Sequence, residues 1–175
     1  MGAFPQRSTM SRIPCAILAL AACLASSSAQ DIRFDTGTPT TQTRAGHVSL
    51  QTEAVTVQAG KPDWIELRFQ VAPGFHINSH TPGDETLIPT SFQAEPVEGE
   101  HLLHTEFPAG IPFHLSIGAG QTLSTYGGDF AVRLQISVAA KGDSILSGKL
   151  HYQACDTASC FPPRDLPVRL VVHAR

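Results

Sequence analysis

Along two stretches of the chain apolar and polar residues alternate one by one. Ile65, Leu67, Phe69 and Val71 are interleaved with Glu66, Arg68 and Gln70, and Phe130, Val132, Leu134, Ile136 and Val138 with Ala131, Arg133, Gln135 and Ser137. Successive side chains of a strand point to opposite faces, so this two-residue period predicts strands with one face in a core. Further strands are predicted over residues 47–57, 75–78, 91–94, 102–107, 148–154 and 168–173. Turn-forming groups separate them, among them Ala59-Gly60-Lys61-Pro62, Pro73-Gly74, Thr81-Pro82-Gly83, Gly127-Gly128 and Lys141-Gly142-Asp143. The pattern contains no amphipathic helix. The expected fold class is therefore all-β, an antiparallel β-sandwich of immunoglobulin-like type.

The N-terminus departs from this pattern. Arg7 and Arg12 precede an apolar run from Ile13 to Leu24, and small residues follow it up to Ala29, the layout of a secretory signal over residues 1–29. Ser27-Ser28-Ala29 suits ordinary cleavage, the favoured route; Leu20-Ala21-Ala22-Cys23 resembles a lipobox, which would put a lipid anchor on Cys23. The run is about half the roughly 20 residues a membrane span needs. Residues 30–46, rich in Thr, read as a polar leader, and residues 47–175 as one domain. The expected location is the periplasm or cell envelope, where cysteines can remain oxidised. Removing the signal takes two arginines from the twelve basic residues and leaves the fifteen acids, a formal charge of −5. That balance argues against a nucleic-acid partner.

It also leaves two cysteines, Cys155 and Cys160, in Tyr152-Gln153-Ala154-Cys155-Asp156-Thr157-Ala158-Ser159-Cys160-Phe161-Pro162-Pro163. If Leu150, Tyr152 and Ala154 face the core, the alternation puts Lys149, His151, Gln153 and Cys155 outside. The pair is then expected to bracket an exposed loop, with Cα atoms within the roughly 4.4–6.8 Å of a disulfide. Two readings stand at this point. A structural clip closing a ring of about six residues contributes about 2.2 kcal/mol by the chain-entropy relation, against about 4.7 for a 100-residue loop. An exposed pair also suits thiol–disulfide exchange, in which a partner thiolate approaches one sulfur in line.

The segments Tyr152-Gln153-Ala154-Cys155 and Cys160-Phe161-Pro162-Pro163 resemble the signature of the N-terminal periplasmic domain of DsbD-type thiol:disulfide interchange proteins. Pro73-Gly74-Phe75-His76 and Pro89-Thr90 resemble a second segment of that family, and the likeness runs from about His47 to Val172. It implies an immunoglobulin-like domain whose cysteines cycle between dithiol and disulfide. Electrons would come from a membrane-embedded donor, a separate polypeptide, and pass to thioredoxin-like envelope partners. It further implies that Cys160 forms the mixed disulfide, that Cys155 resolves it, and that Glu106-Phe107 belongs to a loop covering the sulfurs, Phe107 as the cap. Tyr152, Gln153, Phe161 and Pro162 support the pair, and Phe75 flanks it. The spacing between the cysteines is one residue shorter than in the best-known member.

The chemistry needs a thiolate, and a free thiol with pKa near 8.5 needs help at neutral pH. His151 and Arg164 are the cations nearest in sequence, whereas Asp156 and Glu106 would raise a thiol pKa. No cofactor is expected: there is no phosphate loop, dinucleotide fingerprint or Ser-His-Asp arrangement. Both methionines lie in the signal, so no thioether copper site is expected, and no metal ligands are assigned. The pairs His76/His80 and His101/His104 are read as surface or hydrogen-bonding residues. A Cys155/Cys160/His151 copper or zinc site is the third reading, after exchange and a non-enzymatic binding module with a structural disulfide.

Overall fold

A computed structural model describes residues 44–114 and 122–175, with Arg44 and Ala45 described in backbone only. The expected signal, most of the leader and Cys23 lie outside the described residues. Among those described no helix is long and apolar enough to cross a membrane.

Among the described residues thirteen strands follow in order: β1 (Arg44–Ala45), β2 (Val48–Leu50), β3 (Ala54–Val57), β4 (Pro62–Val71), β5 (His76–Asn78), β6 (Ser91–Ala94), β7 (Glu100–Glu106), β8 (Ile111–His114), β9 (Thr122–Tyr126), β10 (Asp129–Val138), β11 (Gly142–Tyr152), β12 (Ala154–Cys155) and β13 (Arg164–Ala174). They form one five-stranded sheet, β1-β2-β4-β10-β7, and two four-stranded sheets, β3-β13-β11-β6 and β12-β5-β9-β8. β1 lies within the expected leader.

The alternating stretches are the centre of the first sheet. Phe69 pairs with Phe130, Leu67 with Val132 and Ile65 with Leu134 across β4 and β10, and all but Phe130 are buried. In the second sheet Leu150 pairs with Leu166 and Leu146 with Leu170 across β11 and β13. A Cβ at Gly148 would lie 2.6 Å from the Gln93 carbonyl, so β6 can approach β11 only where the side chain is a hydrogen. The inward faces of these two sheets, with Ile77, Tyr126 and Ala154 from the third, make one hydrophobic core. Burial of these apolar faces is the main favourable contribution to the fold.

The fold is the all-β sandwich expected, with two local differences. Residues 47–57 are not one strand. β2 pairs with β4 and β3 with β13. Between them the Gln51 amide donates to the Arg68 carbonyl of the first sheet, and the Glu53 carbonyl accepts from Val171 of the second. Because the chain changes sheets there, β3 runs parallel to β13 in an otherwise antiparallel arrangement. The second difference is the third sheet. β8 and β9 have too few apolar residues to be read as strands; they pair with each other, and β9 joins them to β5.

Candidate redox site

β11 reaches Tyr152, which is fully buried, and there the chain leaves the second sheet for the third. Gln153 occupies the crossing. Its backbone carbonyl accepts from the Asn78 amide. Its side-chain amide donates to the Phe161 carbonyl at 3.2 Å, while Oε1 accepts from Asn78 Nδ2 at 3.1 Å and from the Ile88 amide at 3.4 Å. A part-buried amide network thereby anchors the segment on both sides of the cysteines.

Beyond it, β12 pairs with β5, Ala154 opposite Ile77 and Cys155 opposite His76. Cys155 is 2% exposed, a correction to the outward position expected. Its cause is the sheet change at Gln153, which interrupts the alternation so that Ala154 and Cys155 are both buried. Cys160 lies on the far side of the loop, exposed.

The two cysteines are bonded, with an S–S distance of 2.05 Å and a Cα–Cα distance of 4.0 Å. The Cα separation is below the roughly 4.4–6.8 Å expected. They face each other across a minimal antiparallel ladder. Phe161 N donates to the Ala154 carbonyl at 2.8 Å and Asp156 N to the Ser159 carbonyl at 2.9 Å, so the cysteines form the non-hydrogen-bonded pair between these bonds, the closer kind of opposition. Within the loop Asp156 Oδ1 accepts from the amides of Ala158 and Ser159, each at 2.7 Å. These two amides hold the Asp156 carboxyl below the ordinary carboxylate range, with smaller contributions from His76 and His47.

His76 is 8% exposed and its ring stacks on Phe113 with centroids 4.0 Å apart. Burial pushes its pKa below the ordinary value, partly opposed by Asp156. On the other flank His47 stacks on Phe75 at 3.7 Å, and Phe161 lies 5.2 Å from His47 and 5.9 Å from Phe75. His47, Phe75 and Phe161 thus form one aromatic group, Tyr152 is fully buried, and Pro162 is exposed where the chain departs toward β13.

Phe107 stacks on His80 at 4.3 Å, nearly parallel. His80 Nδ1 meets the Thr90 carbonyl at 2.9 Å, and its amide donates to the Tyr126 hydroxyl, which donates in turn to the Pro108 carbonyl. Glu106 pairs with Arg133 at 3.0 Å on the open face of the first sheet, where Arg133 also covers Trp64. The ring of this segment that reaches the strand beside Cys155 is Phe113, through His76.

The two cations nearest the cysteines in sequence are engaged with other groups. His151 Nδ1 meets Asp165 Oδ1 at 2.6 Å, with Lys149 on the same carboxylate at 2.9 Å, on the outer face of the second sheet. Arg164 lies against Gly46. The copper or zinc set of Cys155, Cys160 and His151 is thus not brought together, and among the described residues no three His, Cys, Asp or Glu side chains are grouped to hold a metal. The imidazoles near the pair are His76 and His47, which sequence proximity did not reveal. The signal for His76 was its place in the Pro-Gly-Phe-His segment, but only the β12–β5 register joins that segment to Cys155.

An all-β sandwich presenting a small disulfide loop, one cysteine buried and the other open, defines a class of domain built around a cysteine pair. The family described as thiol:disulfide interchange protein DsbD, N-terminal, matches residues 47–171. The chain belongs to this family, and its domain is of the thiol–disulfide exchange type. It is similar to the N-terminal periplasmic domain of ScsB from Proteus mirabilis, with 18% identity and a TM-score of 0.47 over 70% of this chain and 44% of that one. It is also similar to the N-terminal domain of DsbD from Neisseria meningitidis in the reduced form, with 19% identity and a TM-score of 0.43 over 67% of this chain and 86% of that one. No curated protein matches the chain.

Proposed function

We propose that this domain relays electron pairs in the cell envelope, its reduced cysteines reducing a disulfide in a thioredoxin-like partner. The observation that carries the reading is the unequal exposure of the two sulfurs: Cys160 open to an incoming protein, Cys155 covered. The Cys160 thiolate attacks the partner disulfide, forming a mixed disulfide and freeing one partner thiol. Cys155 then attacks Cys160 Sγ, the Cys155–Cys160 bond forms, and the second partner sulfur leaves as thiolate. Two electrons pass to the partner, and a membrane-embedded reductase returns them. Residues 107–114 shield the pair between encounters, Phe113 over His76 and Phe107 over His80. Attachment to the membrane, if Cys23 is lipidated, would hold the domain near its donor.

The test combines trapping with potentiometry. Cys155→Ala should accumulate a mixed disulfide between Cys160 and a thioredoxin-fold envelope protein, and the Cys155–Cys160 couple should equilibrate with glutathione at a potential above about −300 mV. A pair that resists glutathione and traps nothing would instead be a structural clip in a binding module.

A further inference from the structure

We infer that His76 accepts the proton of the Cys155 thiol in the second half of the exchange, and thereby sets the lifetime of the mixed disulfide. The inference rests on the exchange reading above for its order of attack. It starts from a requirement: once Cys160 is joined to a partner, Cys155 must lose a proton before its sulfur can displace the partner, and a buried thiol has no water at hand to take that proton.

His76 is placed for this. It is the directly opposed residue to Cys155 across β12 and β5. Opposed residues of an antiparallel pair share a face, with Cβ atoms about 4.5–5.5 Å apart. Both residues are buried. Among the described residues neither ring nitrogen of His76 has a hydrogen-bond partner; its one ring contact is the Phe113 stack. His80, His114, His151 and His173, by contrast, each hold an oxygen through Nδ1. Around His76 the ionisable groups are Cys155 from β12, Asp156 from the loop and, acting on Asp156, His47 ahead of β2; from β8 Phe113 stacks on the ring, while His114 is engaged with Thr122.

The electrostatics agree with the geometry. Burial favours the neutral imidazole, the form with a lone pair to accept a proton, and Asp156 favours the imidazolium. In the step itself the Cys155 S–H proton passes to His76, the Cys155–Cys160 bond forms, the Cys160–partner bond breaks, and the leaving thiolate or solvent later takes the proton from the ring.

The reduced protein with 5,5′-dithiobis(2-nitrobenzoate) isolates the step without any protein partner. Cys160 releases one thionitrobenzoate as it forms a mixed disulfide, and attack by Cys155 releases the second. In the parent protein the second phase should accelerate with pH and level off. In His76→Phe, which keeps a ring against Phe113, the first phase should stay within about twofold. The second should slow by at least about tenfold at pH 7 and keep rising with pH as thiol ionisation alone dictates. A second phase within twofold of the parent at every pH overturns the inference, and His76→Gln gives the same reading if the Phe variant is unstable. Failure to trap an envelope partner would leave these two phases intact, so it would count against the exchange reading and not against His76.

Discussion

Two histidine–carboxylate neighbourhoods lie on either side of Gln153 and do different things. On the outer face of the second sheet, Asp165 is shared by Lys149 and His151, and those two hydrogen bonds hold its carboxyl below the ordinary range. In the third sheet, Asp156 is satisfied first by the amides of its own loop, which leaves His76 uncommitted beside Cys155. On the open face Asp165 is paired with two side chains and screened by solvent, so the cluster stabilises little. In the covered site the backbone satisfies the anion and the imidazole remains available for chemistry. Closeness in sequence selects His151; closeness in the fold selects His76.

The comparison can be broken first through stability. Gln153→Ala removes the groups that hold the Phe161 carbonyl and Asn78 Nδ2 in a part-buried network, and should destabilise the domain by about 1–3 kcal/mol. His151→Ala should change it by less than about 1 kcal/mol. Urea denaturation of the two variants checks the ranking, and equal losses would erase the distinction between covered and open neighbourhoods.

A smaller effect concerns the shield. Phe113→Ala uncovers His76 and should raise the rate at which iodoacetamide alkylates the reduced pair by about twofold to tenfold. Phe107→Ala, acting through His80, should raise it less, and an unchanged rate in both variants would remove residues 107–114 from any shielding role. These factors correspond to about 0.4–1.4 kcal/mol in local access.

The smallest is the pH dependence of folding. Burial holds His76 below its unfolded value of about 6.5, so between the two values the unfolded chain binds more protons and stability falls as pH falls. The loss begins below about pH 6.5. The depressed carboxylates Asp156 and Asp165 lose their contributions only lower, beneath their ordinary value of 3.8. Melting temperatures measured between pH 6.5 and 5 should decline less in His76→Phe than in the parent.

The sequence made β4 and β10 plain because each buries one face along its whole length, and the period-two pattern records that burial directly. β6 was equally legible, matching residues 91–94. Where the chain changes sheets the pattern carries no such record. It hid the break at residues 51–53 and, at Gln153, reversed the expected side of Cys155. β8 and β9 were missed because Pro112 and a run of Thr and Ser residues give them no strand signal of their own. The cysteine loop itself was visible from spacing. Its histidine was not, because His76 meets Cys155 only through the pairing of two strands distant in sequence.

The four residues between the cysteines are tied by hydrogen bonds that do not involve sulfur: Asp156 Oδ1 to two amides, Asp156 N to the Ser159 carbonyl, and Phe161 N to the Ala154 carbonyl. The backbone turn is therefore pre-shaped independently of the S–S bond. For the exchange proposed above, such a turn would let the dithiol and the disulfide share one main-chain conformation, so that little reorganisation accompanies the change between them.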